Sequence, residues 1–506
     1  MKINQTLLAK ITSGTAYGNF EIDSYSIDTR SLKENDMLIA LIGENFDGHI
    51  FLADAIAKKC KALMVSQAYY NKNNIEFSNL LVVADPLKAL TAIANYTREY
   101  FKGLMIGITG SIGKTTLKEM VSILLKDDFK VASSKGNFNN HIGLPLSLSH
   151  LENTHEVGIF EMGMSAPGEI SFLTQILKPN IGVITTIAPA HLAFFEAIDD
   201  IATAKSEILE GMQPDGIIFL DQDNLYHPFL KEKAVQRKIK NIFSFSLKDN
   251  KADIYIKDFK IYFNDAQDHG AEVKAVIFQQ PLIYNIKTIA QHNILLSALA
   301  LGIVKCFIEN YATSKFELES FAQKLINFTV PAGRGQIKPL KIKKQDKIIN
   351  LTLIDDSYNA NPVSMKTALD NFAAIGSQQK ILILGDMLDL GDNSDIIHCS
   401  LKLHIQKVKP KKIFFLGKKM QAFSQFLRKE YYKDNDFFST PIANKDLLLN
   451  DIKSKIPEIK SFLDHEMLLA ELKLYLDDQD IVLIKGSNGS KVHKVSTALQ
   501  QWQYAI

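Results

Sequence analysis

Between an apolar run at 104–108 and an amphipathic stretch at 115–126 stands Thr109-Gly110-Ser111-Ile112-Gly113-Lys114-Thr115-Thr116. Strand, glycine turn and helix in that order describe a phosphate-binding loop. Glycines let backbone N–H groups curl around phosphate oxygens, and the helix N-terminus adds partial positive charge. Lys114 can neutralise the terminal phosphates of a nucleotide, and the Thr115 hydroxyl can ligate Mg2+. The bland alternative, a glycine turn with a surface lysine, leaves the flanking strand and helix unexplained. The common loop pattern has glycine at position 108, where this chain has Ile108; its glycines are at 107 and 110.

Glu161 closes the apolar run 157–161, and His191 follows the run 181–185. Ligands gather beyond the carboxyl ends of parallel strands, so both residues fall where a nucleotide and its metal would sit. Each also has a plain reading: a surface carboxylate for Glu161, a structural histidine for His191. Lys205, early in an amphipathic helix, reads from its residues alone as a solvated charge.

The elements that must position these groups alternate. Strand-like runs at 157–161, 181–185 and 216–220 are separated by helical segments after Pro167-Gly168 and near 199–210. Such alternation implies βαβ units and a parallel sheet covered on both faces. Residues 252–285 read as an antiparallel excursion and 293–308 as an apolar helix. Apolar periodicity stops at Pro331-Ala332-Gly333, and strands resume at 350–354, 380–384, 412–416 and 480–484. Before residue 100, short runs at 37–42, 62–65 and 79–83 accompany a helical 51–59, and Asp47-Gly48 has the chemistry of a tight connection. Lysine-rich KIKKQDK (341–347) and KVKPKK (407–412) read as solvated faces or turns. The expected fold is α/β in three domains: a small mixed unit over 1–100, a central parallel-sheet unit over 101–330, and a Rossmann-like unit over 331–506.

Composition agrees. With 506 residues, of which 46% are hydrophobic and 23% charged, the chain has room for about three ordinary globular domains. A formal net charge of +2 removes any bulk electrostatic reason for nucleic acid or an anionic membrane as partner. Cys60, Cys306 and Cys399 are scattered and odd in number, which fits a reducing cytoplasm rather than a disulfide framework. The longest apolar run, 294–304, is shorter than the ~20 residues that span a bilayer.

The loop variant TGxxGKT resembles that of the Mur ligase superfamily, and further segments match it in order. They include Ile27-Asp28-Thr29-Arg30, Gly43-Glu44-Asn45-Phe46-Asp47-Gly48-His49, the NFNNHIGLP stretch at 137–145, Glu161-Met162-Gly163-Met164-Ser165 and Ala204-Lys205-Ser206-Glu207-Ile208. His292-Asn293, the stretch DDSYNANP at 355–362, Leu384-Gly385-Asp386-Met387 and Lys485-Gly486-Ser487 complete the set. DDSYNANP is the most specific and points to the branch that attaches D-alanyl-D-alanine to a UDP-N-acetylmuramoyl-tripeptide. Departures are Ala290 in place of a usual glycine, Leu296 in place of a second asparagine, Pro-Ala-Gly-Arg at 331–334 in place of P-G-R, and Asn488 where an arginine often follows K-G-S.

The resemblance implies a cytoplasmic, monomeric, ATP-dependent acid–amino-acid ligase using two Mg2+ ions. It assigns Lys114, His191 and Lys205 to catalysis, and Thr115, Glu161, His191 and Lys205 to metal binding. Lys205 is expected to carry CO2 as a carbamate, which turns a cation into an anion. Thr109 to Thr116 with Asn293, Arg334 and Asp356 would hold ATP. Thr29, Arg30, Asp47, Gly48 and His49 would meet the uridine nucleotide, and Asn139, Asn140 and Ser165 the muramoyl-peptide arm. Asn359, Asn361 and Lys485 would meet substrate from the third unit, Lys485 as the cation for the dipeptide carboxylate. A site shared between units implies closure about a hinge near 326–334. The alternatives are another amide ligase of the superfamily, for instance the one adding the third residue, although that enzyme's usual D-N-P-R motif is absent, or a folylpolyglutamate synthase, and a nucleotide-binding module without ligase activity.

Overall fold

The computed structural model describes residues 2–22, 24–189, 195, 197–312, 316–345, 347–377, 379–434 and 457–503. Three principal sheets follow one another along the chain.

The first sheet has the order Thr15–Tyr17, Leu80–Val83, Ala62–Ser66, Met37–Ile39, Tyr25–Ser26, parallel except for its first pair. Its inner strands are buried throughout, as runs without polar alternation must be. The Asp47-Gly48 pair does not make the tight turn expected of it. Glu44-Asn45 joins the ribbon Ile42–Gly43 to Phe46–Asp47, and Asp47 instead caps the short helix Gly48–Phe51 through the His49 N–H.

The central sheet has nine strands in the order Val131–Ser133, Val157–Glu161, Leu104–Thr109, Ile181–Ile184, Ile217–Asp221, Asn241–Ser246, Ile254–Phe263, His269–Ile277, Gln280–Ile286. It is parallel as far as Ile254–Phe263 and antiparallel beyond, as the alternating pattern of 252–285 suggested. One apolar face packs on helices Lys114–Leu125 and Gln291–Tyr311, the other on Glu169–Leu177 and Ile198–Ser206. The 294–304 run extends into a 21-residue helix, long and apolar enough to cross a membrane, yet 67% of its apolar window is core. The helix expected near 199–210 divides into Ile198–Ser206 and a tighter turn, Glu207–Gly211.

The third sheet runs Gln336–Lys344, Lys347–Asp356, Ile481–Lys485, Lys380–Gly385, Lys412–Leu416, Glu458–Phe462, parallel after its opening hairpin. In KIKKQDK the lysines do face solvent, but from a hairpin: Lys341 and Lys343 are exposed on a strand that buries Leu340 and Ile342, and Lys347 begins its partner. The edge strand Glu458–Phe462 has no counterpart among the expected strands.

Candidate active site

The phosphate loop has the shape its glycines require. Gly110 adopts φ +138°, and a Cβ there would lie 1.9 Å from the Thr185 hydroxyl. That hydroxyl donates to the Ile112 carbonyl at 2.6 Å, tying the loop to the end of Ile181–Ile184. Gly113, at φ +90°, caps helix Lys114–Leu125, where a Cβ would press on Leu296. Gly107 is a packing residue instead: within its strand, a Cβ would meet Leu177, Met162 and Pro179. The displaced glycine therefore leaves the phosphate turn itself intact.

Lys114 donates to the Gly110 carbonyl at 2.6 Å and so lies folded across the loop. Burial pushes its ammonium below the ordinary lysine range; Glu161 opposes that shift and Arg334 adds to it. Thr109, fully buried, donates to the Met162 carbonyl, and Ser111 bonds Ala188 in both directions. One turn of helix beyond Lys114, the wholly buried Lys118 donates to the Gly136 carbonyl at 3.1 Å and to the Ser134 carbonyl at 2.5 Å. It thereby anchors the segment that carries Asn139 and Asn140.

Glu161 is fully buried at its strand end. Its carboxylate accepts a hydrogen bond from the Thr115 hydroxyl at 2.7 Å and another from the Asn139 amide at 2.9 Å. Two hard oxygen donors thus converge beside the loop, a set suited to Mg2+, which takes few protein ligands and fills its shell with phosphate and water oxygens. No group of three His, Cys, Asp or Glu side chains gathers elsewhere among the described residues. His191 lies outside the described residues.

Lys205 is no solvated charge: it is 4% exposed, on helix Ile198–Ser206. Burial holds its amine well below the ordinary lysine range, the nearby Lys114 charge adds to this, and Glu207 opposes it. Glu207 is itself occupied, accepting from the Gly168 and Ser171 N–H groups at the start of helix Glu169–Leu177. The neighbouring Ser165 N–H donates to Glu169 at 2.6 Å.

A cleft of about 690 Å³ opens over the loop. It is lined from the central sheet by Gly110 to Thr116, Asn139, Asn140, Ser165 and Lys205, and from the third sheet by Arg334, Asp356, Asn359, Asn361 and Lys485. Thr109, Glu161 and Asn293 lie behind this lining. Asn293, 1% exposed, leaves its Oδ1 without a hydrogen-bond partner. Arg334 stacks its guanidinium over Tyr358 at 4.1 Å. Asn361 accepts from the Ser364 N–H and caps helix Pro362–Ala373, while the Asn359 side chain turns back on the Ala360 N–H.

Lys485 is not a free cation. Its ammonium donates to the Asp356 carboxylate at 2.8 Å and to the Asn359 carbonyl at 3.2 Å. Burial raises the Asp356 carboxyl above its ordinary range, and Lys485 opposes that rise.

The residues expected to meet the uridine nucleotide are not among the cleft lining. Arg30 pairs with Asp28 at 2.7 Å on an exposed turn, and the Thr29 carbonyl accepts from Lys58. Gly48 packs where a Cβ would meet the Leu41 backbone. The His49 ring is 2% exposed, lies 2.5 Å from Asp47 and accepts from the Ser66 N–H, so its polar atoms serve the fold.

Several contributors escape sequence reasoning. Lys118 and Thr185 matter through contacts that no local pattern displays, whereas Glu207, His292 and Tyr358 lie in family-matching segments but were given no role there. Thr185 had a positional signal, since it follows a strand at the edge where the loop opens.

Residues 108–304 match the Mur ligase middle domain, and residues 341–488 the Mur ligase, glutamate ligase domain. The chain is 32% identical to UDP-N-acetylmuramoyl-tripeptide–D-alanyl-D-alanine ligase from Rickettsia prowazekii, over 92% of this chain and 93% of that one. It is 27% identical to the enzyme of the same name from Escherichia coli, over 99% of each. A crystal structure of MurF from Acinetobacter baumannii superposes with a TM-score of 0.76 at 25% identity, covering 99% of both chains. MurF from Thermotoga maritima in complex with ADP shares the fold, with a TM-score of 0.69 at 22% identity over 95% of this chain and 97% of that one. The chain belongs to the Mur ligase family, alongside the UDP-N-acetylmuramoyl-tripeptide–D-alanyl-D-alanine ligases.

Proposed function

We propose that this ligase joins D-alanyl-D-alanine to UDP-N-acetylmuramoyl-tripeptide at the expense of ATP. The observation that carries the reading is the Thr115–Glu161 couple beside the Lys114 loop, opening into a cleft that the third sheet completes. A carboxylate is a poor electrophile at neutral pH. The tripeptide carboxylate oxygen therefore attacks the γ-phosphorus and ADP departs; the dipeptide amine then attacks the acyl carbon, phosphate leaves, and the amine loses its proton.

The residues' work is to hold anions together and keep water out. The loop N–H groups and Lys114 cradle the β- and γ-phosphates. Asn293, Arg334 and Asp356 complete the ATP site, with Arg334 adding charge near the γ-phosphate and Asp356 accepting from ribose hydroxyls. Mg2+, two ions by family resemblance, would supply Lewis-acid charge, and Thr115 and Glu161 are the described residues suited to hold one of them. Asn139, Asn140 and Ser165 meet the muramoyl-peptide arm. Units 1–100, 101–330 and 331–506 bind the uridine nucleotide, ATP and the dipeptide respectively, within a monomer that closes about residues 326–334.

Lys205 is carbamylated in this reading: its neutral amine adds to CO2 and releases a proton. Its burial, the depressed basicity of its amine and the absence of a carboxylate within ion-pair distance among the described residues support this. The whole proposal is tested by phosphate release from ATP. Release should require both UDP-muramoyl-tripeptide and D-alanyl-D-alanine; turnover indifferent to the dipeptide would leave a nucleotide-binding ATPase instead.

A further inference from the structure

The third sheet brings Asp356 and Lys485 together by register. Lys347–Asp356 and Ile481–Lys485 are parallel neighbours, with Asp356 paired opposite Lys485. Lys485 is 2% exposed, and two of its three N–H donors are committed, one to Asp356 Oδ2 and one to the Asn359 carbonyl. Two residues on, Ser487 donates to the Ala360 carbonyl and accepts from the Leu388 N–H, so the same segment fastens both loops flanking that pair. A dipeptide carboxylate reaching the remaining N–H would have to bury its own charge beside the Asp356 carboxylate, so that one ammonium served two anions. Two like charges crowded on one buried cation repel, so admission of a second carboxylate there is unfavourable.

We infer that Lys485 is a positioning residue for the nucleotide, acting through Asp356, and not the cation that receives the dipeptide carboxylate. Ionised Asp356 is purely an acceptor and can take hydrogen bonds from two ribose hydroxyls; protonated, it would have to donate one itself. Lys485 keeps the carboxylate in its accepting form against the desolvation that would neutralise it, and fixes its orientation from beneath. At the N-terminal end of the central helix Gln291–Tyr311, burial pushes the His292 imidazole down to about 4, and the Lys485 charge adds to this. Asp356, Lys485 and His292 line the same cleft.

This inference rests on the assignment of Asp356 to ATP, so its test separates the two. ADP affinity is measured by calorimetry on the full-length chain and on Lys485→Met, Asp356→Asn and the double variant, with KM for D-alanyl-D-alanine measured alongside. The expected result is a tenfold or greater loss of ADP affinity in each single variant, little further loss in the double variant, and a dipeptide KM within threefold of the parent. If Asp356→Asn weakens ADP while Lys485→Met does not, or if Lys485→Met raises only the dipeptide KM, the inference is overturned and the Asp356 assignment survives. If Asp356→Asn leaves ADP binding intact, both fall. Should Lys485→Met not fold, Lys485→Gln takes its place with the same outcomes.

Discussion

The Thr115 hydroxyl and the Glu161 carboxylate, 46 positions apart in sequence, meet at 2.7 Å beside the phosphate loop. The other carboxylate oxygen is held by Asn139, so Glu161 is oriented from both sides. Glu161→Gln keeps the shape and removes the charge. It should lower kcat by roughly a thousandfold, the scale of losing one preorganised electrostatic contact, and raise the Mg2+ concentration needed for half-maximal activity. Titration of phosphate release against Mg2+ reads both quantities; an unchanged Mg2+ requirement would remove Glu161 from the metal site.

Lys114 folded over its own loop predicts a loss confined to chemistry and phosphate binding. Lys114→Ala should abolish phosphate release, by about a thousandfold or more, with the melting temperature nearly unchanged because the ammonium's hydrogen bond is to a carbonyl of its own loop. A large drop in melting temperature would mark the lysine as structural.

For Lys205 the expected outcome is a carbamate carbon resonance when the enzyme is equilibrated with carbon-13-labelled bicarbonate, absent in Lys205→Ala. Activity of the parent should fall in buffers stripped of CO2 and return when bicarbonate is restored. A spectrum without that resonance, in enzyme of full activity, would leave Lys205 an amine.

Lys118 makes a structural prediction. Replacing it with methionine leaves two carbonyls, Ser134 and Gly136, without their donor and loosens the segment leading to Asn139. A loss of stability on the order of 2–4 kcal/mol is expected from denaturant unfolding, accompanied by a higher KM for the UDP-tripeptide.

Asp221, lining the cleft at the end of Ile217–Asp221, has its carboxyl pushed up to about 6, chiefly by burial, with Asp223 adding to the rise and a hydrogen bond from Thr186 opposing it. A carboxyl raised in the folded state contributes stability that is present below its unfolded pKa near 3.8 and lost as pH rises through 6. Asp221→Asn should therefore be more stable than the parent at pH 7 to 8, by roughly 1–3 kcal/mol, with the difference vanishing below pH 4. Melting curves across that range decide it.

Much of the fold was legible because buried parallel strands are continuous apolar runs: Val157–Glu161 and Lys412–Leu416 have the limits their sequences suggest. The hairpin strand Gln336–Lys344 was obscured because lysines alternate with its few buried residues, and Glu458–Phe462 because a short edge strand needs little apolar character. In the site, the phosphate loop is local and so readable. The burial of Lys205 was not, since helix periodicity around an alanine-rich turn does not say what packs against it. The pairing of Asp356 with Lys485 depends on strand order across 129 positions, which no local pattern encodes. The resemblance named both residues and gave them separate duties.

The cleft draws its walls from two units, and only the short stretch between Asn327 and Gln336 separates the last helical turn of one from the first strand of the other. A nucleotide lodged there touches both, so it works as a mortar between separately built halves. At a hundredfold excess over its dissociation constant, a ligand bound only by the assembled form adds about 2.7 kcal/mol to that union. Heat should therefore take the unliganded chain apart in stages and the loaded chain in one, making calorimetric cooperativity a gauge of how far the halves have become a single body.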